Sequence, residues 1–137
     1  VDPVLRPLYP RDLTDAEVTR RAVRDVVFAT YARRISLLHS PHAPVWRYTF
    51  DSPQGEPPGV PHGGELPSVF GSHALADLFA AFARDGAPQT LAIGWPPDGR
   101  AQPQTLQVGP TLRTGADPAA RRLGVLAPTL TLLTPRR

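Results

Sequence analysis

The 137-residue sequence carries 15 basic residues, all of them Arg, and 12 acidic residues, which gives a net charge of +3. Because the Arg residues are scattered and do not alternate with aromatic residues, the sequence does not predict a nucleic-acid-binding surface. The absence of Cys excludes disulfides, thiolate metal ligands and cysteine nucleophiles. The length is that of one domain, and 18 Pro with 11 Gly predict a fold rich in loops.

The N-terminal part of the chain predicts helices. Thr14 and Glu17 have the spacing of a capping box, with Thr14 as the N-cap and Glu17 reaching back to the Thr14 amide. Leu13 is placed to pack against Val18 as a hydrophobic staple. Apolar residues continue with helical spacing to Leu38, so we expect a second helix after a break near Phe28.

A strand and a long loop are predicted next. Pro41 and Pro44 end the second helix, and residues 45–50 alternate in size and are rich in aromatic and β-branched residues, which is typical of a strand. The strand is expected to end at Asp51. Pro and Gly then make residues 52–59 a loop that leads from the end of the strand to His62.

A third helix is expected to start at Ser72 as N-cap and to run to about Arg84, because apolar residues recur at i, i+3, i+4 and i+7. The stripe consists of Leu75, Leu78, Phe79 and Phe82, and we expect Leu78, Phe79 and Phe82 to be core residues. Gly86 followed by Pro88 predicts the C-terminus. His73 is expected at the surface.

Little regular structure is predicted after this helix. A turn is expected at Asp98 and Gly99, and residues 105–108 are expected to form an edge strand. From Thr111 onward, Pro, Thr and Arg interrupt the pattern. We therefore expect residues 111–137 to be a divergent, poorly ordered tail, and residues 1–110 to form the folded domain.

Four sequence blocks resemble the C-terminal portion of type B carboxylesterases, the cholinesterase and carboxylesterase family. They are the strand 45–50, the His-Gly-Gly-Glu motif within residues 59–71, the segment 82–88, and the pair Trp95-Pro96. Their order and spacing resemble the family from about residue 25 to residue 108. The resemblance implies an α/β class, specifically a C-terminal fragment of an α/β-hydrolase with helices, one or two sheet strands, a loop that bears His, and a last helix.

The resemblance also implies a catalytic role for His62, as the general base of a Ser-His-Asp/Glu triad that cleaves carboxylic esters. A neutral imidazole is suited to this role near neutral pH. Gly63 would permit a tight turn, and Glu65 would support the loop from behind. No Gly-x-Ser-x-Gly motif occurs in the sequence, so we expect the Ser and the acid to lie upstream of Val1.

The expected partners are a small-molecule ester and the missing N-terminal part of the same fold. No cofactor and no membrane span are predicted, because no apolar run approaches the roughly 20 residues needed to cross a bilayer. His39 and His42 have a metal-like spacing, but Pro41 lies between them and no third ligand is evident, so no metal site is predicted. The alternative function is a non-catalytic binding or scaffold module that resembles the cholinesterases.

Overall fold

The computed structural model describes residues 2–51, 63–71 and 73–129. The described residues form two compact units, one of residues 2–38 with 118–129 and one of residues 39–117. In chain order, the helices and strands are α1 Asp15–Arg24, α2 Thr30–His39, β1 Tyr48–Phe50, α3 Leu66–Phe70, α4 Ala74–Asp85, β2 Gln104–Val108, β3 Leu112–Ala116 and α5 Ala120–Leu126.

Helix α1 begins as the sequence predicts. The Thr14 side chain accepts a hydrogen bond from the Glu17 backbone N–H at 3.3 Å, which satisfies one of the free amides of the first turn. The Glu17 carboxylate, which was expected to bond the Thr14 amide, accepts hydrogen bonds from Arg20 and Arg21. These two ion pairs lower the pKa of Glu17. The predicted N-cap Thr14 is therefore confirmed, whereas the Glu17 carboxylate pairs with Arg20 and Arg21 within α1.

The small core of the first unit lies under α1. Val18 and Ala22 on α1 are buried with Tyr9, and Leu13 packs against this cluster, as the predicted hydrophobic staple requires. Arg6 fixes the preceding segment, because its guanidinium donates hydrogen bonds to three backbone carbonyl groups: Pro10, Arg11 and Leu13.

The predicted break near Phe28 is a π-helical turn, Asp25–Ala29, which joins α1 to α2. The backbone N–H of Thr30 bonds the carbonyl of Asp25, and the Thr30 hydroxyl donates to the same oxygen at 2.7 Å. A π turn holds one residue more than an α turn and therefore rotates the following side chains around the helix axis. Asp25 and Thr30 are both buried at this turn.

The buried Asp25 carboxylate ties three parts of the first unit together. Arg122 of α5 donates to Oδ2 at 2.7 Å, the Tyr9 hydroxyl donates to the same oxygen at 3.1 Å, and Arg24 donates to Oδ1. The Arg122 guanidinium also lies 5.1 Å from the centre of the Tyr9 ring. Burial and the negative charge of Asp25 raise the pKa of Tyr9 to about 12.

The second unit contains a three-stranded mixed sheet in the order β1-β2-β3. Strands β1 and β2 are parallel with Tyr48 opposite Leu106, and β2 and β3 are antiparallel with Val108 opposite Leu112. The crossover between the parallel strands contains α3 and α4, as parallel pairing requires a long connection. Such a helical crossover between parallel strands is typical of α/β proteins.

Helix α4 covers one face of this sheet. Leu75 and Leu78 are fully buried and form a core with Trp95 and the β2 residues Leu106 and Val108. The helix ends at Gly86, which has φ +73°, in the left-handed region that favours glycine. The predicted C-terminus is therefore confirmed, but Phe82, which was expected in the core, is 48% exposed.

The sequence-based predictions for the end of the chain are corrected at the level of individual elements. Strand β2, which was expected at an edge, is the central strand, because β3 pairs with it from residues 112–116. Helix α5 follows, and its Leu123 and Leu126 are buried. Strand β1 is also shorter than the predicted residues 45–50, although it ends before Asp51 as expected.

Candidate active site

The loop predicted to carry His62 follows the carboxyl end of β1. Phe50 is the last residue of β1, and the Asp51 N–H donates to the Val108 carbonyl at 2.8 Å, so the chain leaves the sheet beside the end of β2. His62 and the predicted loop 52–59 lie outside the described residues. The carboxyl ends of parallel strands are where open α/β sheets bind their ligands. The chain segment that leads to the His-Gly-Gly-Glu motif therefore starts at the carboxyl end of β1, where such sites form.

Gly63 makes the first turn after the His position. Its φ is +75°, which only glycine adopts readily, and its carbonyl accepts a hydrogen bond from the Leu66 N–H at 3.1 Å. A Cβ at this position would also lie 3.3 Å from the Leu66 side chain. The backbone conformation at this position therefore requires the first glycine of the His-Gly-Gly-Glu motif.

Glu65 stands directly before α3 and starts it. Its carbonyl accepts hydrogen bonds from the N–H groups of Ser68 at 2.9 Å and Val69 at 3.0 Å. Its side chain is half-buried, and its charge acts on Tyr48 of β1: burial raises the pKa of Tyr48, and the negative charge of Glu65 adds to the increase. Glu65 therefore lies close enough to β1 for the two elements to interact electrostatically.

The end of α3 leaves no room for a side chain. A Cβ at Gly71 would lie 2.4 Å from the backbone carbonyl oxygen of Pro67. Helix α4 then begins with His73 as its N-cap, since the His73 Nδ1 accepts from the Leu75 N–H at 3.2 Å. The predicted cap Ser72 lies outside the described residues, and His73, which was expected at the surface of a helix start, is partly exposed.

A buried charged cluster, which sequence reasoning missed, lies at the other end of the sheet strands. The guanidinium of Arg47 donates from Nε to Asp98 at 2.5 Å and from Nη2 to Asp117 at 2.6 Å. Both carboxylates are almost completely buried, and the Arg47 side chain is only 12% exposed. Asp98 also accepts from the Gln104 N–H at 2.9 Å, at the start of β2. One cation therefore connects the segment before β1 with the start of β2 and the end of β3.

The pKa of Arg47 reflects this environment. Burial lowers it, but the hydrogen bonds and negative charges of Asp98 and Asp117 outweigh burial, so the pKa of Arg47 is raised. One sequence observation could have identified the cluster: Arg47 stands among aromatic residues in a stretch predicted as a strand, and an Arg that is buried there requires an acidic partner. The predicted turn at Asp98 and Gly99 gave no indication that Asp98 is buried.

An aromatic cavity of about 380 Å³ is the second feature of this unit. Its walls include five aromatic side chains, namely Trp46, Tyr48, Phe79, Phe82 and Trp95. The indole N–H of Trp46 donates to the Trp95 carbonyl at 3.0 Å. The indole N–H of Trp95 is buried and meets no acceptor within the described ranges.

Among residues 2–51, 63–71 and 73–129, no three His, Cys, Asp or Glu side chains are grouped so that they could hold a metal ion. His39 and His42 are exposed, and the His42 N–H donates to the His39 carbonyl at 2.8 Å. In the same ranges, no helix is both long enough and apolar enough to cross a membrane.

Comparison with solved structures defines the fold class. A solved PNB esterase matches 88% of this chain with a TM-score of 0.74 and 29% identity, and the match covers 28% of that structure. A thermophilic PNB esterase matches the same share of the chain with a TM-score of 0.73 and 29% identity, over 29% of its own chain. Together with the mixed sheet and its helical crossover, these matches confirm the prediction of an α/β chain that corresponds to part of an α/β-hydrolase.

A curated relative carries the assignment further. Para-nitrobenzyl esterase of Bacillus subtilis (strain 168) is 29% identical over 143 residues, which cover 88% of this chain and 29% of that protein. No protein-family model matches the sequence. The predicted resemblance to type B carboxylesterases is thus confirmed, and the chain is related to carboxylic ester hydrolases. It spans about three tenths of the length of these relatives.

Proposed function

We propose that this chain is the C-terminal piece of a serine hydrolase that cleaves carboxylic esters, and that His62 is its triad general base. One observation carries the proposal. The His-Gly-Gly-Glu motif follows the carboxyl end of β1 in a chain whose relative, over 88% of this sequence, is an esterase. Neither the nucleophile nor the acid is assigned to a residue of this chain.

The chemistry assigned to His62 is proton transfer. Its imidazole accepts the proton of a Ser hydroxyl as that oxygen attacks the ester carbonyl, and it then gives the proton to the leaving alcohol. An Asp or Glu orients the imidazole through its other nitrogen and stabilises its charged form. Both groups belong to the rest of the hydrolase, which is the proposed partner of this chain, and the substrate is a small-molecule ester.

The roles proposed for Gly63 and Glu65 are structural support of His62. The left-handed conformation of Gly63 and the hydrogen bond from Leu66 to its carbonyl fix the chain directly after His62. Glu65 starts α3 and interacts with β1 through its charge. A general base must stay within hydrogen-bond reach of its partner, so both residues contribute by limiting the movement of the loop.

The test is hydrolysis of a short-chain para-nitrophenyl ester by the parent protein, encoded by this sequence and the sequence upstream of it. We expect His62→Ala to lower kcat by about 10³-fold or more, as the loss of a triad member does. His42→Ala, which removes an exposed His elsewhere, is the matched control and should leave kcat unchanged. An unchanged rate in His62→Ala would refute the assignment.

The upstream sequence provides an independent check. A Gly-x-Ser-x-Gly motif is expected there, because the nucleophile precedes the acid and the His in the chain order of α/β-hydrolases. If the parent has no such Ser and hydrolyses no ester, the alternative of a non-catalytic binding or scaffold module is correct instead.

A further inference from the structure

The aromatic cavity is lined from β1 and the segment before it, and from α4. Its wall from the β1 side is formed by residues 44–46, which precede the strand, and by Tyr48 at its first position. Its wall from α4 includes Phe82, in the last turns of that helix. Burial raises the pKa of Tyr48 and the negative charge of Glu65 raises it further, so one wall residue lies within electrostatic reach of the His-Gly-Gly-Glu motif.

The walls of the cavity are held in place by one another. Trp46 and Phe82 form an edge-to-face pair with ring centres 5.6 Å apart, and Tyr48 forms such pairs with Phe79 at 5.8 Å and with Trp95 at 6.3 Å. Edge-to-face pairs are favoured by the charge distribution of aromatic rings. The hydrogen bond from Trp46 to the Trp95 carbonyl adds a further link. These contacts connect the wall residues from β1, from α4 and from the segment of Trp95 to one another.

The chemistry of the walls favours a neutral occupant. Of the described residues that line the cavity, only His39 and Tyr48 can titrate, and none carries a carboxylate or a guanidinium. An ammonium group gains energy over aromatic rings. Without an acidic partner, however, it would lose more by leaving water, and a carboxylate would have no cation to meet. An uncharged apolar molecule does not have this desolvation cost.

The volume sets the size of the occupant. Natural ligand sites range from about 300 to 1,000 Å³, and an engineered apolar cavity of roughly 150 Å³ holds one benzene molecule. At about 380 Å³, the aromatic cavity has room for two rings. We propose that this cavity is a binding site for a neutral, apolar two-ring molecule.

Three probes with one skeleton and different charges test the proposal: 4-phenylcyclohexanone, 4-phenylcyclohexylamine and 4-phenylcyclohexanecarboxylate. Both Trp residues of the chain line the cavity, so their emission reports on its occupation. We expect the ketone to change the emission with a Kd below about 1 mM and at least tenfold tighter than the two charged probes. No response to any probe would overturn the proposal, and tighter binding of the amine would contradict a neutral ligand.

Two variants locate the binding. Phe82→Ala removes an exposed part of the wall and should weaken binding of the ketone by about tenfold. Val45→Phe fills the cavity from a residue whose backbone carbonyl accepts from the Asp98 N–H, a bond that the substitution keeps, and it should abolish binding. Phe70→Ala, the same change on a helix that does not line the cavity, is the matched control and should bind like the wild type. Wild-type affinity in both Phe82→Ala and Val45→Phe would show that the ketone binds elsewhere.

A second readout does not depend on emission. A ligand that binds only the folded state raises its stability, so the ketone should increase the fraction of the chain that stays soluble after heating. The increase should disappear in Phe82→Ala and persist in Phe70→Ala. An equal increase in all three proteins would identify a general solvent effect and overturn the assigned site.

Discussion

Arg47 donates a hydrogen bond to Asp98 across 51 positions of the sequence, and the two side chains are buried together at the start of β2. Asp117, 70 positions from Arg47, accepts from the same guanidinium. Because burial of a lone charge is far more costly than burial of a paired one, these three residues depend on each other.

Removal of Arg47 is therefore expected to destabilise the second unit strongly. Arg47→Met leaves two buried carboxylates without their cation, which costs about 3–5 kcal/mol of unfolding free energy. The measurement is urea unfolding followed by Trp emission at low protein concentration, since both Trp residues belong to this unit. Arg113→Met, on an exposed position of β3, is the control and should change the free energy by less than about 0.5 kcal/mol.

The rescue variant distinguishes charge from packing. When Asp98→Asn and Asp117→Asn are added to Arg47→Met, the buried charges disappear, and we expect more than half of the lost stability to return. If Arg47→Met alone is as stable as the Arg113→Met control, the ion pairs contribute nothing and the prediction is wrong.

The Tyr9 hydroxyl in the first unit predicts a loss of stability at alkaline pH. Its pKa in the fold, about 12, lies above the ordinary value of 10. The folded state thus holds the proton more tightly than the unfolded state. The contribution is fully present below pH ~10 and is lost as the pH rises from about 10 to about 12.

Ultraviolet absorbance of tyrosinate measures this pKa directly. The difference between the titrations of the wild type and Tyr9→Phe should show one group that ionises near pH 12, whereas Tyr31→Phe should retain it. Arg122→Gln is also informative, because it removes a cation that lowers the pKa of Tyr9, so that pKa should rise further. A Tyr9 group that ionises near pH 10 would contradict the burial of its hydroxyl against Asp25.

The glycine that ends α3 predicts a local steric effect. In Gly71→Ala the new methyl group would lie 2.4 Å from the Pro67 carbonyl oxygen, so the backbone has to shift. We expect a loss of about 1–3 kcal/mol. Gly94→Ala, where the added Cβ meets no atom of the described residues within 4 Å, should change stability by less than about 0.5 kcal/mol.

Since α3 follows the loop of His62, Gly71→Ala should also reduce ester hydrolysis by the parent protein, while Gly94→Ala should not. If the two variants have equal free energies of unfolding in urea, the end of α3 accommodates the methyl group without a loss of stability, and the prediction is wrong.

Local patterns in the sequence predicted the elements that local interactions determine. The cap at Thr14, the end of α4 at Gly86 and the end of β1 before Asp51 depend on residues close in sequence, and all three are confirmed. Gly63, the first glycine of the His-Gly-Gly-Glu motif, likewise has the left-handed backbone conformation that favours glycine over other residues.

The missed features depend on partners that are far apart in the chain. Arg122 and Asp25 are 97 positions apart, and neither has a neighbour in sequence that indicates the pairing. Strand β2 was predicted at an edge because β3, with polar Thr and Arg and a Gly, has a weak strand pattern and gains its structure from pairing.

The isolated 137-residue chain is expected to self-associate and to lack esterase activity. Several large apolar side chains are mostly exposed, among them Phe70 at 83%, Ile35 at 64% and Leu38 at 62%. Exposed apolar surface of this kind promotes association, and a His without its Ser and acid has no nucleophile to activate. Sedimentation should show species larger than the monomer, and a para-nitrophenyl ester should be hydrolysed no faster than by the His62→Ala chain. A monomer with a cooperative thermal melt, or turnover that His62→Ala abolishes, would show that the chain functions without the rest of the hydrolase.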